Sequence, residues 1–374
     1  MKKTLIALTL AALPVASMAE VTLYGTIKGG LEVTKTKGSS NTVTNINDWD
    51  SFIGFKGEEQ LGDTGLKAIW QVEQAVSLDH NAAKNGKWAD RTSFIGLATP
   101  VGEVRAGYLG DAFQDNMQDL NFDSSKGVRA LNHWARVEQR WTGVRYDTPD
   151  LGGFSANVLF SPEDNGRYDQ AREIGVQDLD NLEGVAHVVN GLTENNRAVS
   201  VGLGYKAAGF FAKYGYTNVK GADGDAHVHR ILGGYDDNNI FAGLGFQHTK
   251  GWNDDPFYVP YGRIQTKEIV GSFAYSLGNI TPRLSVAYGF DEKVGSTKVK
   301  NSKYLQAVLG VDYDLTKRTR VISSFGWLKE GSHKSSSIIS DALVPSLGTA
   351  YFLPPGDDSK QQAYSFGLGL QHKF

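Results

Sequence analysis

The last twelve residues of the chain, 363-AYSFGLGLQHKF-374, decide the fold because they alternate without a break up to the C-terminus. Every second side chain is large and mostly apolar: Tyr364, Phe366, Leu368, Leu370, His372 and Phe374. The residues between them are small or polar. A period of two indicates a β-strand with one apolar and one polar face. Both a soluble β-sandwich and a membrane β-barrel contain such strands.

The N-terminus predicts export. Two lysines precede an apolar run over residues 5–13, and Ser17 and Ala19 form the small-x-small pattern of a signal-peptidase site. We therefore predict a signal peptide over residues 1–19, with cleavage after Ala19, and a mature chain of residues 20–374. Because no other stretch approaches the roughly 18 apolar residues of a spanning helix, a membrane location would require strands.

The composition excludes several classes of protein. The 374 residues contain no cysteine, which excludes a disulfide scaffold and removes the commonest ligands of structural zinc. The formal net charge is -3, and removal of Lys2 and Lys3 with the signal peptide leaves 36 basic and 41 acidic residues, a net charge of -5. This balance argues against a nucleic-acid partner.

Alternating segments recur along the whole mature chain, and about sixteen can be counted, an even number as bacterial barrels require. Short turns alternate with long polar connections at 162–197, 250–265 and 330–360. This sorting by length is typical of an outer-membrane meander. We predict one all-β domain over 20–374, a transmembrane, antiparallel, up-and-down barrel of 16 strands with short periplasmic turns and long extracellular loops. In a closed barrel the last strand pairs with the first, so the chain can end inside the sheet.

Several ordered motifs carry a resemblance to a known family. They are VTLYGTIKGGLE, SFIGFKGEEQLGDTGLKAIWQVEQ, RTSFIGL, VRYDTPDLGGFSANV and the final LQHKF. Together they resemble the neisserial and related β-proteobacterial general porins, over nearly the whole mature chain except the long loops. The resemblance implies a homotrimer in the lipid bilayer of the outer membrane, and passive diffusion of small hydrophilic solutes and ions without a cofactor.

The resemblance also implies a third extracellular loop that folds into the barrel and faces basic residues on the wall. The matching loop is 109–137, and its acidic candidates are Asp111, Asp115, Asp119 and Asp123. The basic candidates on the wall are Lys28, Lys67, Arg91, Arg105, Arg140 and Arg145. At the entrance to the loop this chain has Gly107-Tyr108 where the family usually shows Gly-Arg, so the sign of the ion selectivity stays open.

Opposed rows of charge matter more than single pairs in such a pore. Two unit charges about 10 Å apart in water interact by roughly 0.4 kcal/mol. Rows of opposite charge produce a transverse field that orients dipolar solutes, and an excess of one sign sets the ion preference.

Other functions have weaker support in the sequence. His227 and His229 could ligate a metal from one strand face, but their acidic neighbours Asp223 and Asp225 favour a solvated loop. We predict no metal site and no enzyme, because no catalytic serine motif or phosphate-binding loop is visible. The alternative is an outer-membrane barrel whose loops present an adhesin or binding surface.

Overall fold

The structure is a computed structural model that describes residues 20–38, 40–79, 88–116, 120, 127–128, 138–162, 197–221, 224–251, 264–332 and 362–374. The predicted signal peptide, 1–19, lies outside the described residues. So do most of the long connections at 163–196 and 333–361. No described helix is long and apolar enough to cross a membrane.

The described chain contains nineteen strands and one short helix. They are β1 (Glu20–Thr36), β2 (Thr42–Asp48), β3 (Ser51–Gln60), β4 (Lys67–Val76), β5 (Ser93–Thr99), β6 (Gly102–Gly110), α1 (Ala112–Asn116), β7 (Arg140–Asp147), β8 (Phe154–Ser161), β9 (Arg197–Ala207), β10 (Phe210–Gly221), β11 (Gly224–Asp237), β12 (Ile240–Lys250), β13 (Ile264–Tyr275), β14 (Ile280–Gly289), β15 (Lys293–Val294), β16 (Thr297–Lys298), β17 (Tyr304–Asp314), β18 (Thr319–Glu330) and β19 (Gln362–Lys373).

Sixteen of these strands form a closed antiparallel circuit, namely β1, β3 to β14 and β17 to β19. The last strand pairs with the first in the register Thr26↔Lys373 to Thr36↔Ala363. Beyond that ladder, the amide of Gly25 donates to the carbonyl of Phe374 at 3.1 Å, and Phe374 donates back at 3.2 Å. The prediction of a sixteen-stranded barrel whose C-terminus ends inside the sheet is confirmed.

Three short strands were not predicted and lie outside this circuit. Strand β2 pairs with the second half of β1, where β3 no longer reaches. Strands β15 and β16 form a small hairpin that extends from β13. All three stand at the end of the barrel that carries the long connections, so they extend the wall without changing the count of spanning strands.

The two ends of the barrel differ in their connections. At the end where β1 begins and β19 finishes, neighbouring strands are joined by short turns, for example β9 to β10 and β11 to β12. Asn238 and Asn239 have φ of 50° and 65°, which suits a tight two-residue hairpin turn. The long connections 162–196, 251–263 and 331–361 all lie at the other end. By the usual construction of outer-membrane barrels, the long connections face the cell exterior.

The alternation of β19 assigns the two faces of the wall. Leu368 and Leu370 are 47% and 53% exposed and point outward, whereas Ser365 and Gly367 point inward and are buried. The same order holds for β12, where Leu244 is outward and Gln247 is inward. At these positions the apolar residues form the outer surface, and the small or polar residues face the lumen.

Candidate pore and its inner wall

Three of the predicted wall cations surround one carboxylate near the end of the barrel with the long connections. Asp50, in the turn between β2 and β3, accepts a hydrogen bond from Nη1 of Arg91 at 2.6 Å. Lys28 and Arg140 attract the same carboxylate. Loss of water around Asp50 would raise its pKa, but the attraction of Arg91, Lys28 and Arg140 lowers the pKa below its ordinary value. Asp50 is therefore ionised, and its side chain is still 62% exposed.

A second carboxylate fixes the position of Arg91. Nε of Arg91 lies 3.7 Å from Glu73 Oε2, and Tyr24 donates its hydroxyl to Glu73 Oε1 at 2.8 Å. The guanidinium of Arg91 also lies over the ring of Phe52, 4.7 Å from its centre. These contacts hold the cation against the inner wall of β3 and β4. We call Lys28, Asp50, Glu73, Arg91 and Arg140 the charged wall cluster.

The other predicted wall cations lie elsewhere. Lys67, at the first position of β4, forms an ion pair with Glu58 at 2.7 Å near the short-turn end, and both side chains are largely exposed. Arg105 and Arg145 stand opposite each other on β6 and β7 and share Asp147. The structure therefore separates the six predicted cations into three locations on the wall.

Arg145 makes a structural contact with the start of the loop that follows β6. It is 1% exposed, and its Nη1 donates to the carbonyl of Gly110 at 2.6 Å. Its Nη2 donates to Asp147 Oδ1 at 2.7 Å. Arg145 thus ties the start of the loop that follows β6 to the inner wall.

The start of this loop packs on the inner wall of β7 to β11. Ala112 donates its amide to Ser200 Oγ at 2.9 Å, and Phe113 belongs to a buried apolar cluster with Leu109, Trp141, Leu159, Ala198, Val219 and Val228. At the end of the loop, Glu138 accepts from Arg230 Nη1 at 2.5 Å. Arg230 also stacks its guanidinium over Phe113, 5.4 Å from the ring centre.

Two further loop segments contact the wall at other strands. The carbonyl of Leu120 accepts a hydrogen bond from Ser272 of β13, and the side chain of Leu120 lies 2.6 Å from the place where a Cβ would stand on Gly243 of β12. A Cβ on Gly367 of β19 would collide with the carbonyl of Gly127. Gly243, Ser272 and Gly367 all belong to the inward set of their strands, since their neighbours Leu244, Phe273 and Leu368 are exposed.

Only one of the four predicted loop acids has a described side chain. Asp111 is fully buried, and its Oδ1 accepts from the amides of Phe113 and Gln114, both at 3.0 Å. Its Oδ2 is buried without a hydrogen-bond partner. Asp111 is therefore the N-cap of α1 rather than a side chain in contact with water. Asp115 lies within α1, and Asp119 and Asp123 lie outside the described residues.

Burial changes the protonation of Asp111. Desolvation, reinforced by the charge of Glu138, raises its pKa to about 7, although backbone amides oppose the shift. The carboxyl therefore titrates near neutral pH.

Sequence reasoning missed Asp50, Glu73 and Arg230. Asp50 precedes a strand and carried no pattern of its own. Arg230 shares its inward face with Val228 and Leu232, so the polar phase of β11 is hidden by apolar neighbours. The apolar residues Val228 and Leu232 on this inward face, matched by apolar residues in the loop, were the signal that could have shown that the loop covers it.

The family model described as Gram-negative porin matches residues 20–352. Among curated relatives, the major outer membrane protein P.IB of Neisseria sicca is 38% identical over 362 residues, which cover 88% of this chain and 95% of the relative. The P.IB protein of Neisseria meningitidis serogroup A is 36% identical over 388 residues, which cover both chains completely.

Solved structures show the same fold at lower identity. An anion-selective porin from Comamonas acidovorans has a TM-score of 0.65 at 20% identity, over 96% of this chain and all of that chain. OmpT of Vibrio cholerae, in its trimer form, has a TM-score of 0.59 at 12% identity, over 96% of this chain and all of that chain.

Proposed function

Because the chain belongs to the Gram-negative porin family and is a protein of the cell outer membrane, we propose that it forms a water-filled channel for small hydrophilic solutes and ions. Transport is passive, down the concentration gradient. Passive diffusion requires no catalytic group and no cofactor, and the proposal assigns neither.

The observation that carries the proposal is the path of the loop after β6. Described residues of the loop contact inward positions on β9, on β12 and β13, and on β19. A connection that reaches all three parts of the wall crosses the lumen. Loop 109–137 therefore narrows the channel, and solutes pass between it and the charged wall cluster.

We call the narrow part of the channel between the loop and the charged wall cluster the neck. The charges of the neck favour weak ion selectivity. The wall cluster carries three cations, Lys28, Arg91 and Arg140, and two carboxylates, Asp50 and Glu73, so its formal charges nearly cancel. Asp115, Asp119 and Asp123 supply the opposing charge from the loop. Lys67, Arg105 and Arg145 act outside the neck, where Arg105 and Arg145 share the single carboxylate of Asp147.

The mature protein consists of one barrel over residues 20–374, after removal of the signal peptide 1–19. We also infer that three copies assemble into a trimer. OmpT of Vibrio cholerae, which shares the fold, has been solved in a trimer form, and the resemblance to neisserial porins points the same way.

Planar-bilayer recording of the folded protein tests the proposal. We expect large conductance steps that occur in groups of three, and a small reversal potential in a salt gradient. Attachment of a bulky thiol reagent to Lys28→Cys should reduce the step, because Lys28 belongs to the inner wall. The matched control is Lys35→Cys on the outward face of the same strand, where the reagent should leave the step unchanged. The absence of conductance from correctly folded protein would overturn the proposal.

A further inference from the structure

Basic and imidazole side chains collect on the outward face of the barrel, where β9 to β13 meet the long connections. His227 and His229 of β11 lie on the same outward face as Ile231, and His248 of β12 continues the outward series of Leu244 and Phe246. The expectation that the first two histidines stand in a solvated loop is wrong, because both lie within β11. The outer basic patch consists of Arg197, Lys220, His227, His229, His248, Lys250 and Lys267.

The patch is a continuous surface because strand pairing aligns its members. His229 stands opposite both Tyr216 and His248, and His248 stands opposite Lys267. The imidazole rings of His227, His229 and His248 have centres 5.6 to 6.3 Å apart. One row further toward the long connections, Lys220 pairs in register with Arg197 and with Asp225.

The patch carries an excess of positive charge in the described chain, with Asp225 beside Lys220 as the carboxylate in register with it. Among the residues that the structure describes, none of the four cations of the patch forms an ion pair with a carboxylate, and Arg197, Lys220 and Lys267 are exposed. No described set of three or more His, Cys, Asp or Glu side chains is arranged to hold a metal ion. An imidazole N–H donates hydrogen bonds, so the three histidines suit an anionic ligand beside the cations.

Tyr214 orients one of these imidazoles. Its hydroxyl lies 2.8 Å from Nδ1 of His229, and the ring of Tyr216 lies 4.7 Å from the ring of His229, centre to centre. When Tyr214 donates this hydrogen bond, Nε2 of His229 carries the proton and is the donor that remains for a ligand.

An apolar groove of about 910 Å³ begins directly beside the patch, toward the short-turn end. Its floor is made of the small outward residues Ala156, Ala212 and Gly233. Its walls are made of large outward residues, among them Leu203, Tyr205, Ile231 and Leu244. A channel of this shape accommodates hydrocarbon chains along the barrel surface.

Groove and patch are continuous on three adjacent strands. Ile231, Phe246 and Ile269 line the groove, and the next outward residues on the same strands are His229, His248 and Lys267. His248 follows Ile240 by eight residues, which at about 3.3 Å per residue and a strand tilt near 40° places it roughly 20 Å above the lower edge of the apolar surface. The patch thus stands near the level of lipid headgroups in the leaflet that faces the cell exterior.

We propose that the outer basic patch and the groove together bind one lipid of the outer leaflet whose headgroup carries phosphate. The cations and imidazoles hold the phosphate, and the groove holds the acyl chains. A second copy of the chain is a poorer occupant, because burial of four unpaired cations in a protein interface is costly unless each gains a partner. An anionic headgroup supplies that partner and remains in contact with water.

The test uses the folded full-length protein in phosphatidylcholine nanodiscs that contain lipid A or its dephosphorylated form. Bound lipid is counted by native mass spectrometry after detergent release. We expect retention of phosphorylated lipid A and loss of the dephosphorylated form. Each cation near the membrane surface contributes about fivefold to the affinity, so Lys250→Gln with Lys267→Gln should weaken retention about twenty-fivefold. The control Lys35→Gln, on the outward face of β1, should retain the lipid.

A second variant separates lipid from free phosphate. Gly233→Leu fills the floor of the groove without a clash, since a Cβ there meets nothing closer than 3.6 Å. It should weaken lipid A retention and leave the affinity for inorganic phosphate unchanged. Equal retention of phosphorylated and dephosphorylated lipid A would overturn the proposal. So would a loss of retention in Lys35→Gln equal to the loss in Lys250→Gln with Lys267→Gln. A change of the oligomeric state of the double variant without a change of lipid retention would assign the surface to a second copy instead.

Discussion

The two halves of the inner wall differ in what covers them. The half formed by β1 and β3 to β5 carries the charged wall cluster except for Arg140, which begins β7. Asp50 in this cluster is 62% exposed. The half formed by β10 to β14 and β17 to β19 carries apolar side chains that face inward, such as Phe211, Leu232 and Val270, and these are at most 4% exposed. Inward apolar residues in a water-filled barrel would be unfavourable without a cover. Leu120 of the loop packs in the same cluster.

We call the half that carries the inward apolar residues the covered half, and the half that carries the charged wall cluster the open half. The polar groups of the two halves differ in the same way. On the covered half, Arg230 donates to Gln247 at 2.7 Å, Gln247 donates to Glu268 at 2.9 Å, and Tyr304 donates to Glu268 at 2.8 Å, all buried. On the open half Asp50 stays in contact with water, whereas the side chains of Arg91 and Glu73 are 13% and 11% exposed. The comparison teaches that one half of the wall supports the loop and the other half lines the path of solutes.

The largest expected effect is the loss of a buried cation on the covered half. Arg230→Met leaves Glu138 and Gln247 without their donor, and should lower the free energy of unfolding by about 3 kcal/mol. Lys28→Met on the open half should change it by less than about 1 kcal/mol. Urea titration of the folded protein in detergent measures both. Equal losses would contradict the division of the wall into two halves.

The next effect concerns Gly243, the inward position on β12 against which Leu120 packs. Gly243→Leu places a side chain where Leu120 packs, so it should displace the loop, cost about 1–3 kcal/mol and enlarge the conductance step. Gly271→Leu is the matched control, because a Cβ there points outward and meets only Leu244, at 3.9 Å. An unchanged step in Gly243→Leu would show that the loop does not limit the current.

The pH dependence of stability should have opposite signs for Asp111, buried at the start of the loop, and for Asp50, exposed in the charged wall cluster. The pKa of Asp111 is raised to about 7, so its contribution to stability is complete below its ordinary pKa near 4 and is lost as the pH rises through 7. Asp111→Asn keeps the oxygen that caps α1 and should be more stable than the native chain at pH 8, by about 1–2 kcal/mol. Urea titrations at pH 4 and pH 8 measure the difference.

Asp50 provides the control of opposite sign. Its pKa is lowered, so its contribution is present above its ordinary pKa and is lost as the pH falls. Asp50→Asn should therefore be less stable than the native chain at pH 8 and similar to it at low pH. The same direction of change in both variants would contradict the placement of the two carboxylates.

The smallest effects are on ion selectivity. Arg91→Gln removes one charge from the neck, which at about 4–10 Å from a passing ion in water corresponds to about 0.4–1 kcal/mol and a two- to fivefold shift of the permeability ratio toward cations. Lys67→Gln, beside Glu58 at the short-turn end, should shift the ratio less. Reversal potentials in a salt gradient measure both, and a larger shift in Lys67→Gln would place the neck elsewhere.

Much of the barrel could be predicted from the sequence because lipid imposes a simple rule on outward residues. Leu368 and Leu370 face lipid whatever the lumen contains, so the period of two, the strand count and the closure onto β1 were predictable. No such rule determines which residue types stand at inward positions. Leu232 and Val270 face inward because the loop covers them, and a single strand gives no sign of that cover.

The site was less predictable because tertiary contacts decide the role of each charge. The sequence pattern places Asp111 among the pore acids, but in the structure Asp111 caps α1, a role that Asp immediately before Ala112 and Phe113 indicates. The pattern places Arg145 among the wall cations, and the structure adds that Arg145 holds Gly110. The acidic neighbours of His227 and His229 favour a loop and hide the strand pattern of β11.

The most direct test of the central claim, that loop 109–137 lies in the lumen against β12, is a crosslink. Leu120→Cys with Gly243→Cys introduces the only two cysteines of the chain, at positions that meet in the fold, since Cδ2 of Leu120 lies 2.6 Å from where a Cβ of residue 243 would stand. After mild oxidation of the folded protein, we expect the disulfide in nearly all molecules, seen as a reducible mobility shift, with the conductance step unchanged. Folded, conducting channels in which the two cysteines stay reduced would contradict the claim.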